Sequence, residues 1–124
     1  MIGEHIGAIL LSTGLITGVP VLQFFFPKTV LRLLSQMEIT DERGLFFARH
    51  WGLCTFSFGA LLCYAAYAPA ARPTIVGAIL IEKFGLAVLV ALNWNKPFAR
   101  GLRGSGVFDA LCSAVYGVYL LGVA

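Results

Sequence analysis

Charged side chains are scarce in this chain of 124 residues. Asp, Glu, Lys and Arg make up 12% of it, about half the share of about 25% in a typical soluble domain. Hydrophobic residues make up 59%, and the mean hydropathy is +0.87. So little charge excludes a soluble globular domain, and so much apolar side chain excludes a disordered chain. The composition predicts a polytopic membrane protein with short connections outside the bilayer.

The chain also lacks the spacings of common metal and redox sites. Its three cysteines lie in apolar stretches, and no C-x-x-C pair occurs. Glu4 and His5 are metal-binding residue types, but neighbours on a helix point apart and no H-x-x-x-H or E-x-x-H spacing supports them. The net charge of +3 flanks apolar segments, so nucleic acid is not a predicted partner. We expect no metal and no obligatory cofactor.

Four stretches approach the 20 or so apolar residues that a membrane-spanning helix needs. We therefore predict an all-α fold, a four-transmembrane-helix bundle in one domain covering residues 1–124. Pro20 should kink the first span and Pro27 should end it, while Ser105 is a plausible N-cap for the last. The predicted spans are about 2–26, 44–68, 74–94 and 106–124.

The segment 28–37 differs from the predicted spans because it mixes apolar and polar residues at helical spacing. Leu31 and Leu34 would lie on one side, and Lys28 and Arg32 on another. This pattern is typical of a short amphipathic helix in the membrane interface. The alternative is a basic extension of the first span, broken at Pro27.

Basic residues are distributed unevenly over the connections. Arg72 is the one basic residue in the connection on one side of the predicted membrane. The connections 27–44 and 95–105 lie on the other side and hold most of the other basic residues. By the positive-inside rule both large connections should face the cytoplasm (the matrix or stroma in an organelle), and both termini should face outward. The residues on the basic side are Lys28, Arg32, Arg43, Arg49, Lys96, Arg100 and Arg103.

Glu82 and Lys83 lie near the middle of the third span, where an ionisable residue costs about 2.5–3.5 kcal/mol to insert. Adjacent helical residues point about 100° apart, so they cannot simply neutralise each other. Glu82 shares a face with small residues and should point inward. Lys83 then needs a partner on another helix or another subunit. Two interpretations remain open: a structural ion pair, or a carboxyl that handles protons or anchors a ligand.

Arg49, His50 and Asp109 form a second polar set, near the basic ends of the second and fourth spans. Arg49 and Asp109 should lie at similar depths, so we predict an ion pair between them. His50 begins a stripe at helical spacing that either packs between helices or lines a polar cleft. The other members of that stripe are Cys54, Ser57, Leu61 and Tyr64.

The plan of the chain resembles the DoxX-like group of small four-helix membrane proteins. The similar features are a first span that ends at Pro27, an amphipathic stretch, and a second span that contains Arg49 among small residues. The Arg72–Pro73 hairpin also fits. Members of that group are linked to quinone-coupled oxidoreductase complexes or to the assembly of other membrane proteins, so the resemblance implies an accessory role.

Three functions follow as hypotheses. The first, which we favour over an enzyme, is a non-catalytic accessory or assembly subunit of a larger membrane complex, possessing protein partners in the membrane. The second is a binding protein or enzyme for a quinone or other lipophilic small molecule, using Glu82, His50 and Asp109. The third is an oligomeric proton or ion conductor. A closed apolar cavity touching Glu82 would favour the second, whereas a solid bundle core would not.

Overall fold

A computed structural model describes residues 2–36 and 38–122, without the side chains of residues 2, 3 and 35. This part of the chain is helical and contains no strand. Four helical segments are long and apolar enough to cross a membrane, as the apolar runs predict. The helices are α1 (Ile2–Gly18), α2 (Leu22–Phe25), α3 (Pro27–Ser35), α4 (Glu42–Tyr67), α5 (Arg72–Leu92) and α6 (Arg103–Leu121).

The first span is interrupted where its prolines predict. Pro20 has no N–H to donate, and a 3-10 turn, Val19–Val21, joins α1 to α2 there. Phe26 leaves the helical region at φ −133° because the residue before a proline is pushed away from it. Pro27 then begins α3, so the short helix between the first two spans is confirmed. Its predicted last residue, Met37, lies outside the described residues.

The remaining helix ends differ from the predicted bounds by a few residues. α4 begins at Glu42 because the Asp41 side chain accepts a hydrogen bond of 2.8 Å from the Gly44 amide. The prediction of Ser105 as an N-cap is wrong. A 3-10 turn, Pro97–Leu102, leads directly into α6, so Leu102 is the N-cap and Ser105 lies inside the first turn.

The bundle consists of two helical pairs. α1 packs mainly on α4, and α5 packs mainly on α6. α1 and α4 approach each other closely at Gly14 and Gly18. A Cβ built on Gly59 of α4 would lie 2.5 Å from the Gly14 carbonyl oxygen and 2.8 Å from the Gly18 nitrogen. Only glycine permits the backbones to approach so closely.

One half of the bundle is solid. Next to the α4–α5 connection, the two pairs share a core in which Leu10, Leu62, Val76 and Tyr116 are fully buried. The Tyr116 hydroxyl is hydrogen-bonded to Thr13, which ties α6 to α1. The two pockets described below lie in the other half, on the side of α3 and the α5–α6 connection.

Candidate functional site

A buried ion pair joins α5 to α6. The Lys83 ammonium donates a hydrogen bond of 3.0 Å to Oδ1 of Asp109, and it lies 4.8 Å from the centre of the Phe108 ring. Lys83 is 2% exposed and Asp109 is 6% exposed. The prediction that Lys83 has its partner on another helix is confirmed, and the partner belongs to the same chain.

The predicted Arg49–Asp109 pair is wrong. Asp109 is bonded to Lys83, and Arg49 lies on the exposed face of α4. That prediction rests on similar depths of the two residues in the membrane, but depth alone does not fix where a residue lies around the helix axis. Asp109 faces α5, the nearest antiparallel neighbour of α6, because the two helices form one hairpin.

The predicted stripe beginning at His50 neither packs between helices nor lines a cleft. His50, Ser57 and Tyr64 are exposed on the outer surface of α4. The nearest polar partner of the His50 ring is the Cys54 sulfur, 3.7 Å from Nδ1. His50 therefore does not join Glu82 and Asp109. Buried small residues occupy the inward face of α4, among them Ala48, Gly52 and Gly59.

The ion pair lines a pocket of about 300 Å³ between four helical segments. We call it the polar pocket. Glu82, half-buried, lines the same pocket, so both acidic residues and Lys83 meet there. α1 contributes Thr17, and α4 contributes Trp51 and Thr55. The other lining residues are Ile16, Pro20, Leu86, Gly104, Ser105 and Phe108.

Thr17 is the one buried polar side chain in the described ranges without a hydrogen-bond partner. Its Oγ1 is enclosed, although the residue lines the polar pocket, and the whole residue is 7% exposed. Leaving a buried hydroxyl unpaired costs about 1–3 kcal/mol, so such groups are rare in folded proteins. Nothing in the sequence marks Thr17, a threonine one turn before Pro20, as a buried hydroxyl without a partner.

A larger apolar pocket of about 490 Å³ adjoins the polar pocket. The two share Ile16, Pro20, Trp51 and Ser105, so they are adjacent. α3 covers this apolar pocket with Leu31 and Leu34. Trp51 lines both pockets. The remaining lining residues are Val19, Gln23, Ile39, Gly44, Phe47, Ala48 and Leu102.

Gln23 fixes the wall between α2 and α4. Its side-chain amide donates a hydrogen bond of 2.9 Å to the Ala48 carbonyl and is buried. Close by, a Cβ on Gly52 would lie 2.8 Å from the Pro20 carbonyl oxygen. The kinked end of the first span is therefore held tightly against α4. Pro20, Gln23 and Ala48, which form this contact, also line the apolar pocket.

The polar pocket brings several hydrogen-bonding groups together. Among the described residues, no group of three or more His, Cys, Asp and Glu could hold a metal ion. Glu4 and His5 are exposed near the start of α1. A charged pair, a carboxyl without a salt-bridge partner and an indole line one pocket, which suits hydrogen bonding to a small molecule. Comparisons with family models, with curated proteins and with solved structures give no match for this chain.

Proposed function

We propose that this protein binds a lipophilic small molecule inside its helical bundle. The observation that carries the proposal is the adjacency of two pockets, one lined by Glu82, Lys83 and Asp109 and the other mainly by apolar side chains. Sites for small molecules are commonly apolar clefts of about 300–1,000 Å³ with a few convergent polar groups, and they form between the helices of bundles.

The location of the ion pair supports binding more than a purely structural role. A buried ion pair contributes little net stability, because removing two charges from water offsets their attraction. Apolar side chains fill the half of the bundle that holds Leu10, Leu62 and Tyr116. The charged residues instead border the half that contains open volume, where a ligand can use their remaining hydrogen-bonding capacity.

The accessory-subunit hypothesis loses one of its arguments. It required a partner for Lys83 across a subunit interface, and Asp109 of the same chain fills that role. The resemblance to DoxX-like proteins still favours an accessory role, which we keep as the alternative outcome of the experiment below. An oligomeric proton or ion conductor draws no support from the packed half of the bundle, whose buried side chains are mostly apolar.

The first experiment is native mass spectrometry of the protein extracted gently from its own membrane. We expect a monomer or small homo-oligomer that carries a defined lipophilic mass. In Glu82→Gln the bound fraction should fall roughly tenfold, the effect of about 1.4 kcal/mol of lost binding. The protein should insert normally, because Glu82 is not part of the ion pair.

Ile81→Ala is the matched control for Glu82→Gln. Ile81 is 76% exposed and is next in sequence, but it lines neither pocket. It should retain the bound mass. A stoichiometric complex with larger subunits and no small molecule would instead establish the accessory role, and equal occupancy in Glu82→Gln and wild type would remove Glu82 from the site.

We also propose that the α3 side of the bundle faces the cytoplasm, because most basic residues lie there. Lys96, in the exposed α5–α6 connection, provides the test. In a variant with its three cysteines replaced by alanine, Lys96→Cys should react with a membrane-impermeant maleimide in inverted vesicles and not in right-side-out vesicles. The opposite pattern of labelling would reverse the orientation.

A further inference from the structure

We propose that the polar pocket binds the protonated amine of a lipophilic molecule, held by the carboxylates of Glu82 and Asp109. The inference rests on the proposed function and adds the charge and the chemical class of the ligand to it. Three features carry it: the net charge of the pocket, the carboxyl oxygens in it that have no partner, and the apolar surroundings of the pocket.

The polar pocket has a net negative charge when its carboxyl groups are ionised. The charged residues that line it are Glu82, Lys83 and Asp109, and the last two are paired at 3.0 Å. Among the described residues, α1 and α4 contribute only uncharged side chains to its lining. The charge that remains is therefore that of Glu82. A ligand with one positive charge makes the occupied pocket neutral, whereas an anion would add a second unpaired negative charge.

Both carboxyl groups keep oxygens that a ligand can reach. Asp109 accepts the bond from Lys83 at Oδ1, and its Oδ2 has no hydrogen-bond partner among the described residues, although Asp109 is 6% exposed. Glu82 is half-buried and has no salt-bridge partner within residues 2–36 and 38–122. In the same ranges, the one enclosed side-chain oxygen without a partner belongs to Thr17, so these carboxyl oxygens are accessible at the pocket they line. A primary ammonium donates up to three hydrogen bonds and can bond both carboxylates.

An amine also supplies the partner that Glu82 lacks. Ionisable side chains inside a span are costly, and they are usually paired or take part in function. Lys83 and Asp109 neutralise each other, but Glu82 has no such partner in the described part of the chain. A ligand ammonium fills that role. Where Glu82 holds its proton, an unprotonated amine takes this proton, and the same ion pair results.

The surroundings of the polar pocket require an apolar remainder on the ligand. The apolar pocket is adjacent and shares Ile16 and Trp51 with it. Next to Glu82 in the chain, Ile81 is an exposed apolar side chain. Apolar groups leave water for such surroundings, so a lipophilic amine reaches the pocket from the bilayer and a hydrophilic amine stays in water. The ligand class is thus defined by an amine and a lipophilic remainder, and not by the length or number of its chains.

The experiment uses Trp51 as the reporter. In a Trp94→Phe variant, Trp51 is the sole tryptophan, and it lines both pockets. The protein is placed in nanodiscs of phosphatidylcholine and titrated with terminally brominated dodecylammonium, dodecyltrimethylammonium, dodecanol or dodecanoate, because bromine quenches a nearby indole. We expect saturable quenching by dodecylammonium. Its half-saturating concentration in the bilayer should be at least roughly tenfold below those of the other three probes.

Glu82 variants test the contact with the amine. Glu82→Gln should raise the half-saturating concentration of dodecylammonium roughly tenfold and leave that of dodecanol unchanged. Glu82→Asp, which keeps the charge, should still prefer dodecylammonium to dodecanol. The control is Glu4→Gln, which makes the same replacement at an exposed position near the start of α1 and should have no effect. The Lys83–Asp109 pair is intact in all three variants, so they remain folded tests.

Each outcome identifies which proposal fails. Saturable binding of dodecanol as tight as that of dodecylammonium, or unchanged affinity for dodecylammonium in Glu82→Gln, would overturn the recognition of an amine and leave the proposed binding function intact. Equal affinity for the trimethylammonium probe would overturn the hydrogen bonds from the amine to the carboxylates. Linear, non-saturating quenching by all four probes would mean that they only dissolve in the surrounding lipid, and the binding site itself would then be rejected.

Discussion

Lys83→Met is expected to lower the free energy of unfolding by about 3–5 kcal/mol, because it leaves the Asp109 carboxylate buried without its partner. Asp109→Leu should cost a similar amount by leaving the ammonium unpaired. The double variant, Lys83→Met with Asp109→Leu, should recover most of the loss, since two apolar side chains of similar volume replace the whole pair. Unfolding in detergent micelles, followed for all four proteins, measures the coupling.

Arg49→Met is the control for this cycle. Arg49 is exposed on α4, so its replacement should change the free energy of unfolding by less than about 1 kcal/mol. The same variant separates the two candidate partners of Asp109. Should Arg49→Met destabilise as strongly as Lys83→Met, or should the double variant be as unstable as the sum of its parts, the pairing described here would be incorrect.

Gly59→Ala is expected to cost about 2–3 kcal/mol, a large effect for a single methyl group. The added Cβ would lie within 3 Å of three backbone atoms of Gly14 and Gly18, so α1 and α4 must separate. A flexible side chain could turn away from such a contact, but a helix backbone cannot. The change in unfolding free energy in micelles is the measurement.

Gly77→Ala provides the comparison for Gly59→Ala. Gly77 is also inside a long helix, but a Cβ built there meets nothing within 4 Å. The replacement should therefore stabilise α5 by up to about 1 kcal/mol, because alanine loses less backbone entropy than glycine in a helix. A similar loss in both variants would show that the effect belongs to helical glycine in general and not to the α1–α4 contact.

Much of the fold could be predicted because its causes are local. Apolar runs of sufficient length gave four spans, and Pro20 and Pro27 gave the two breaks in the first of them. The ends were less accurate, because a cap or a preceding turn decides them. Asp41 caps α4, so this helix begins at Glu42 and not at residue 44. The turn Pro97–Leu102 leads directly into α6, so Ser105 is not its N-cap.

The pairing of the charges could be predicted only in part. The sequence shows that Lys83 needs a partner, and counting residues along a helix gives the depth of each candidate. It does not give the rotation of α4 about its axis, and that rotation places Arg49 outside. Chain connectivity predicts the Lys83–Asp109 pair better than depth does, since α5 and α6 are consecutive antiparallel helices. The pockets and Thr17 depend on how four helices meet, which no local pattern encodes.

The position of the ion pair within one hairpin has a consequence for how the chain enters its membrane. A lone α5 would carry an unpaired Lys83 near the bilayer centre, at a cost of about 2.5–3.5 kcal/mol, and a lone α6 would carry an unpaired Asp109 nearer one end of its span. The two helices and the connection between them together span 50 residues, Arg72–Leu121, so they are synthesised one directly after the other. The α5–α6 hairpin is therefore the smallest unit that can leave the translocon with Lys83 and Asp109 paired, and we expect the last two spans to enter the lipid together.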